Sequence, residues 1–209
     1  MKCPLCQGDL THKVDPYYYH CEVCFAYVKD RLYYFSQKKE KQHYEFHIND
    51  INDLGYQKFT SPLTNEILAR ISPDTLGLDF GCGTGPVITK QLVDQGYKIN
   101  LYDPYFYPDL SYKNYSYDYI FSCEVFEHFY HPAVEIAQLK QLLKPKGLLL
   151  IMTHLYENQT SFDTWYYRKD ETHVFIYTAQ TFEYIAQQYK FKILSCTERC
   201  IVLESLDSH

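Results

Sequence analysis

Across 209 residues the chain carries 26 Asp and Glu against 20 Lys and Arg, a formal net charge of −6, and it is 46% hydrophobic and 22% charged. This balance is ordinary for a globular protein and excludes one that grips nucleic acid over its whole surface. No apolar run approaches a membrane span and Met1-Lys2-Cys3-Pro4 opens no signal peptide, so a cytoplasmic protein with no membrane partner is expected, its eight cysteines being thiols or metal ligands.

The charge is unevenly spread. Residues 1–45 hold seven Lys and Arg against six Asp and Glu, whereas residues 46–209 hold thirteen against twenty. The length suits one medium domain with a small module attached, and the sequence divides at about residues 35 and 61. In residues 1–35, Cys3-Pro4-Leu5-Cys6 and Cys21-Glu22-Val23-Cys24 form two Cys-x-x-Cys knuckles separated by 14 residues, with β-like runs at Tyr17 to His20, Phe25 to Val28 and Leu32 to Phe35. There is too little apolar material here for a core. Four thiolates at this spacing, Cys3, Cys6, Cys21 and Cys24, predict a closed tetrahedral Zn²⁺ site of structural type, and the segment resembles a zinc ribbon. A redox Cys-x-x-Cys would instead be single and lie in a βα unit. Residues 36–61 are polar and predict a linking helix followed by a loop that ends at Ser61-Pro62; His43 and His47 in this stretch can share a helical face.

Residues 62–209 alternate helix and strand, which predicts a Rossmann-like, doubly wound, mostly parallel sheet. Leu63 to Ile71 reads as helix, Thr75 to Phe80 as the first strand, and Val87 to Gln95 as a helix stopped by Gly96. Lys98 to Tyr102 is a second strand and Tyr117 to Cys123 a third. Pro132 suits the first turn of a helix whose Ile136, Leu139 and Leu143 share an apolar face. Leu148 to Thr153 is apolar throughout, as in the middle of a parallel sheet. Thr178 can cap a helix with Phe182, Ile185, Ala186 and Tyr189 inward, and Phe191 to Thr197 with Ile201 to Glu204 predict a closing antiparallel pair.

The run Leu78-Asp79-Phe80-Gly81-Cys82-Gly83-Thr84-Gly85 joins a strand directly to a helix through a glycine-rich turn, the opening of a nucleotide-binding α/β sheet. Its spacing is Gly-x-Gly-x-Gly and not the Gly-x-Gly-x-x-Gly that receives a pyrophosphate. Asp79 beside the loop would repel a pyrophosphate and favour a cation, which suits S-adenosylmethionine with its ammonium and sulfonium charges. At these residues the chain resembles the class I S-adenosylmethionine-dependent methyltransferases, and with the ribbon, Tyr44-x-x-His47-x-Asn49 and Gly55-Tyr56 it resembles little-characterised bacterial zinc-ribbon members of that class. The resemblance implies cofactor contacts from Asp79, Phe80, Gly81, Cys82, Gly83, Gly85, Cys123 and Glu124, and from Asp103 to the ribose hydroxyls. Asp103 stands 24 residues after Asp79 at the next strand end; its plain alternative is a turn-forming Asp before Pro104. Only 14 residues separate Asp103 from Asp118, where this class usually fits a helix and a strand, so one or both should be missing. Tyr105-Phe106-Tyr107-Pro108 can cover the adenine or simply pack the sheet edge.

Methyl transfer asks the protein to align a nucleophile and exclude water, with a base only where the nucleophile must lose a proton. His128, His173 and Glu127 are the candidates, each with the alternative of a structural hydrogen bond. His173 lies in the long connection from Tyr156 to Tyr177, of the length usual for a lid or binding loop. The leading expectation is a methyltransferase with a small-molecule acceptor. The alternatives are an RNA methyltransferase that recruits substrate through the ribbon, against which the acidic main domain counts, and a non-catalytic sensor or scaffold.

Overall fold

A computed structural model of the chain describes residues 1–45, 50–158 and 160–207. Its centre is a six-stranded sheet of β3 (Leu76–Phe80), β4 (Lys98–Tyr102), β5 (Tyr117–Cys123), β6 (Leu143–Met152), β8 (Phe191–Cys196) and β9 (Cys200–Ser205), in the order β4-β3-β5-β6-β9-β8. The first four strands are parallel, and β9 runs antiparallel to both β6 and β8. Alternation along the strands builds two cores: Ile120, Leu149 and Ile151 face one way, and Tyr119, Phe121, Leu148, Leu150 and Met152 the other. Helices α4 (Pro132–Leu142) and α5 (Ala179–Tyr189) cover the first face through Ile136, Leu139, Phe182 and Ile185. Helices α2 (Leu54–Arg70) and α3 (Val87–Val93) cover the second through Leu63, Ile67, Ile88 and Leu92. Thr178 caps α5 by accepting from Thr181 N, as its position predicts, and the chain leaves α3 through Gly96 at φ +91°.

Three local expectations change and a fourth is met. α2 begins nine residues before Leu63 and runs through Pro62, where the sequence predicts a loop. Asp53 caps it by accepting from Gly55 N and Tyr56 N, and Ser61 Oγ donates at 2.8 Å to Lys58 O, the carbonyl that the missing Pro62 N–H leaves free. Leu143, predicted on α4, instead opens β6 opposite Tyr117, because Pro145 disfavours helical backbone at Lys144. Leu32 to Phe35 is no strand: Asp30 Oδ1 accepts from Leu32 N and starts a 3-10 turn over Arg31–Tyr33, with Leu32 turned to solvent. Between Asp103 and Asp118 both the helix and the strand of the wider class are absent; a 3-10 turn at Leu110–Asn114 fills the gap and leaves β4 at the sheet edge.

The N-terminal module is docked on the main domain rather than hung from it. β1 (Tyr18–His20) pairs with β2 (Tyr27–Lys29), and β2 pairs in turn with β7 (Phe175–Ile176) from the long connection, giving one three-stranded antiparallel sheet. Tyr18, Tyr156, Phe162, Trp165, Tyr167 and Ile176 form an aromatic-rich cluster across the seam. Tyr18 Oη donates to His173 O at 2.6 Å, and Arg168 Nε donates to Asp15 Oδ2 at 2.6 Å. The segment expected as a lid or binding loop is a packed wall that lines the cavity and is held by the Cys-rich module. Among the described residues no helix is long and apolar enough to cross a membrane.

Candidate active site

The carboxyl ends of β3, β4 and β5 open into one cavity of about 700 Å³, where the ligand of an open α/β sheet is expected. All nine residues expected at the cofactor line it: Asp79, Phe80, Gly81, Cys82, Gly83, Gly85, Asp103, Cys123 and Glu124. So do Glu127, His128 and His173. Seven carboxylates face this cavity against a single guanidinium, Arg199, and no lysine among the described residues, so its field favours cations.

The floor is the glycine turn. Gly81 sits at φ +83°, and a Cβ there would fall 2.5 Å from Val125 Cγ2, so only glycine fits between the turn and the end of β5. Gly81 N and Cys82 N donate to Tyr102 O at 2.8 and 3.1 Å, which ties the turn to β4. Asp79 is buried at the end of β3 and accepts from Thr89 Oγ1 at 2.7 Å. Burial, reinforced by Asp103, pushes its carboxyl up to about 7 from an ordinary 3.8. Asp103 is a turn former and a cavity carboxylate at once. Its Oδ1 accepts from Tyr105 N and Phe106 N at 2.8 and 3.0 Å, and its Oδ2 from Gly83 N at 3.1 Å. Tyr105 and Phe106 line the cavity, whereas Tyr107 pairs by its backbone with Asp103 and does not. Burial holds the thiols of Cys82 and Cys123 above the usual range, so neither is poised as a nucleophile.

The roof is α1 (Gln37–Glu45), the first part of the linking helix that the sequence predicts. Glu40 turns inward from the lysine run and is buried. It accepts from Tyr44 Oη, Tyr105 Oη and Tyr130 Oη, each at 3.2 Å, joining the helix to the β4 and β5 ends. His43 lies in this helix; His47 and Asn49 lie outside the described residues. A nine-residue helix is marginal alone, and hydroxyl bonds to a carboxylate are worth about 1.5–3 kcal/mol each at most. Glu40→Ala is therefore expected to abolish amide protection across Gln37–Glu45 in hydrogen exchange while β3 and β5 stay protected; unchanged protection of α1 would refute its anchoring by Glu40.

Opposite the turn lie Glu127, His128 and His173. Glu127 has no exposed surface; its Oε2 accepts from Thr153 Oγ1 at 2.9 Å, and its Oε1 has no partner among the described residues. His128 Nδ1 lies 3.1 Å from Thr172 O and His173 Nδ1 lies 2.7 Å from Tyr167 O. A carbonyl only accepts, so both rings carry a proton on Nδ1 and turn Nε2 towards Glu127. These Nε2 atoms stand 3.9 and 4.0 Å from Glu127 Oε1. Burial brings His173 down to about 4 from an ordinary 6.5 and, with Glu127 adding its charge, pushes Glu124 up to about 8. Tyr44 meets the His128 ring edge-on at 5.4 Å.

The second cluster lies away from the cavity. Cys3, Cys6, Cys21 and Cys24 bring four sulfurs within 4.8 Å of one another, with Cys3–Cys24 at 3.6 Å and Cys6–Cys21 at 3.4 Å. Those separations are far beyond a disulfide and close to the edge of about 3.8 Å that a tetrahedron of 2.3 Å Zn–S bonds would have. The donor set and its geometry fit zinc. Sequence reasoning missed Glu40, Tyr130, Tyr166 and Arg199 in the cavity wall. Glu40 sits in a Lys/Glu run that reads as solvated, and Arg199 sits in the turn between β8 and β9, so neither gave a signal.

Residues 54–196 match the family model described as a methyltransferase domain. No curated protein matches the chain. Among solved structures the chain is similar to 1,6-didemethyltoxoflavin-N1-methyltransferase of Burkholderia thailandensis, which holds 1,6-didemethyltoxoflavin and S-adenosylhomocysteine, at 12% identity, with 95% of this chain and 100% of that one covered and a TM-score of 0.60. It is also similar to the magnesium protoporphyrin IX methyltransferase of Synechocystis PCC 6803 with bound S-adenosylhomocysteine, at 15% identity, 85% and 97% coverage and a TM-score of 0.54. Human N-acetylserotonin methyltransferase in complex with S-adenosylmethionine matches at 13% identity and a TM-score of 0.55, over 82% of this chain but 57% of the human one. At such identities the likeness is one of fold.

Proposed function

The chain belongs to the methyltransferase-domain family, and we propose that it transfers the methyl group of S-adenosylmethionine to a small-molecule acceptor. The observation that carries this reading is the glycine turn bracketed by two cavity carboxyl groups, Asp79 and Asp103, in a cavity lined by seven Asp and Glu side chains against one Arg and no Lys among the described residues. Asp79 takes the cationic amino-acid end of the cofactor. Asp103 takes the ribose hydroxyls with the lone pairs that its turn leaves over, and Tyr105 and Phe106 flank the adenine. Bound cofactor supplies a methyl carbon already activated by the sulfonium. The chain's own groups align the acceptor and keep water out, and the Nε2 lone pairs of His128 and His173 with Glu127 Oε1 are the groups that meet its proton.

Two considerations favour a small acceptor. The structural relatives named above include enzymes of small aromatic molecules, and an acidic cavity opposes an approaching phosphate backbone. In the N-terminal module the four thiolates would hold one Zn²⁺, which supplies a cross-link and no chemistry. Calorimetric titration tests the cofactor reading: S-adenosylmethionine and S-adenosylhomocysteine are expected to bind one per chain, and absence of heat at millimolar ligand would sink it. Formation of S-adenosylhomocysteine with a panel of small hydroxyl and amine acceptors then sorts acceptor classes.

A further inference from the structure

Three possible ligand atoms converge in the cavity. Glu127 Oε1 is fully buried, has no partner among the described residues and faces His128 Nε2 at 3.9 Å and His173 Nε2 at 4.0 Å. Both imidazoles have already given their Nδ1–H to backbone carbonyls. A buried carboxylate oxygen with no hydrogen-bond partner is costly unless something positive meets it. At 3.9–4.0 Å no pair is hydrogen-bonded as it stands, and one proton bridges only two of the three atoms, whereas a cation meets all three.

We infer that Glu127, His128 and His173 form a second metal site, for a divalent first-row cation such as Mn²⁺, Fe²⁺, Co²⁺ or Zn²⁺, whose open positions face the cavity and take an acceptor hydroxyl. The donor atoms lie within 4.8 Å of one another, and bonds of about 2.1 Å place neighbouring ligands ~3.0–3.4 Å apart, so closure asks for shifts of under about 1 Å. The supports that ligands need are built in. Thr153 Oγ1 fixes Glu127 through Oε2, and the carbonyls of Thr172 and Tyr167 fix the two rings in the tautomer that exposes Nε2. Asp170 Oδ2, at 4.0 Å from His173 Nε2, stands in reach as a further oxygen. Two imidazoles and a carboxylate with no sulfur is a donor set distinct from the four thiolates.

This deepens the methyltransferase reading and rests on it for its chemistry: the site selects oxygen acceptors. A hydroxyl bound to the cation would be acidified and would lose its proton to bulk water as it binds, so Glu127, His128 and His173 would then act through the cation rather than as bases. A lone pair of the resulting oxyanion forms the new O–C bond while the C–S bond of the sulfonium breaks. The electron pair of that bond stays on sulfur, so a neutral thioether leaves.

The test uses the full chain with zinc in its cysteine site. Mn²⁺ titrated in and followed by the loss of its free electron paramagnetic signal is expected to saturate at one ion per chain. Co²⁺ at the same site should give ligand-field bands without the strong thiolate charge-transfer absorption of a Cys-bound ion, and two paramagnetically shifted exchangeable imidazole N–H signals. Glu127→Gln and His173→Gln are each expected to weaken Mn²⁺ binding by about 10–100-fold and to leave S-adenosylmethionine affinity within about threefold. Failure of Mn²⁺ and Co²⁺ to saturate the wild type, or equal affinities in the wild type and folded variants, would overturn the site. Should either variant fail to fold, the shifted N–H signals of the wild type decide alone, two supporting the site and none refuting it. Cation binding without S-adenosylmethionine binding would keep the site and remove the methyltransferase reading; the reverse would remove only the site.

Discussion

Replacing Cys24 with Ser is expected to unfold residues 1–35 and to loosen the wall that carries His173. The module's own resources are slight: two strands of three residues, a few buried apolar side chains, and two knuckle turns that hold Gln7 at φ 62° and Phe25 at φ 60°. Left-handed backbone at non-glycine residues costs about 1 kcal/mol or more each, and persists only where the surroundings enforce it. A structural zinc contributes on the order of 10–16 kcal/mol in small domains, so removing one thiolate removes most of what enforces those turns. The damage then spreads by named contacts. β2 is the pairing partner of β7, Lys29 N donates to Val174 O at 2.9 Å, and Tyr18 Oη donates to His173 O. Thiolate-bound zinc should fall from one per chain to none, amide exchange should become fast over 1–35 and 156–177, and S-adenosylmethionine affinity should drop at least about tenfold. The sheet from β3 to β6 should keep its protection. Unchanged exchange over 156–177 would show that the wall stands without the module.

That coupling was not legible in the sequence, although its parts were. The doubled knuckles name the thiols because few residue patterns serve four-sulfur ligation, and the apolar run of β5 appears where the sequence puts it because buried parallel strands tolerate little else. The closing antiparallel pair and the missing helix and strand after Asp103 follow from periodicity and from simple length. β7 gave no such signal: two residues, Phe175 and Ile176, become a strand only because β2 offers them an edge. Pro62 hid the first half of α2, since a side-chain bond from Ser61 offsets the loss that normally ends a helix. Glu40 hid for the opposite reason, as its neighbours are solvated lysines and its three tyrosine partners come from α1 itself and two distant loops. Within the candidate site, residues tied to local backbone geometry could be read from the sequence. Residues whose role depends on tertiary partners could not.

Asp79→Asn is expected to weaken S-adenosylmethionine binding by about 100-fold, ~2.7 kcal/mol, and at the same time to stabilise the ligand-free protein at neutral and alkaline pH. Both effects follow from one buried carboxyl held at about 7, chiefly by burial, against an ordinary 3.8. The unfolded chain releases this proton near pH 4 and the folded chain only near pH 7, so between those values the folded state binds more protons. Stability therefore falls as pH rises through that window, and the contribution is fully present only below the unfolded value. Asparagine keeps an acceptor for Thr89 Oγ1, carries no charge and removes the slope. The affinity runs the other way in the wild type. A cationic ligand needs the carboxylate, so binding should weaken by up to about tenfold per pH unit below 7 and release a proton there, while the variant binds weakly and with a flatter pH profile. Urea unfolding of both proteins at pH 5.5 and pH 8, with calorimetry at the same values, separates the two effects. Parallel stability curves would mean that Asp79 does not titrate in this range, and equal affinities would take the cationic end of the ligand away from Asp79 altogether.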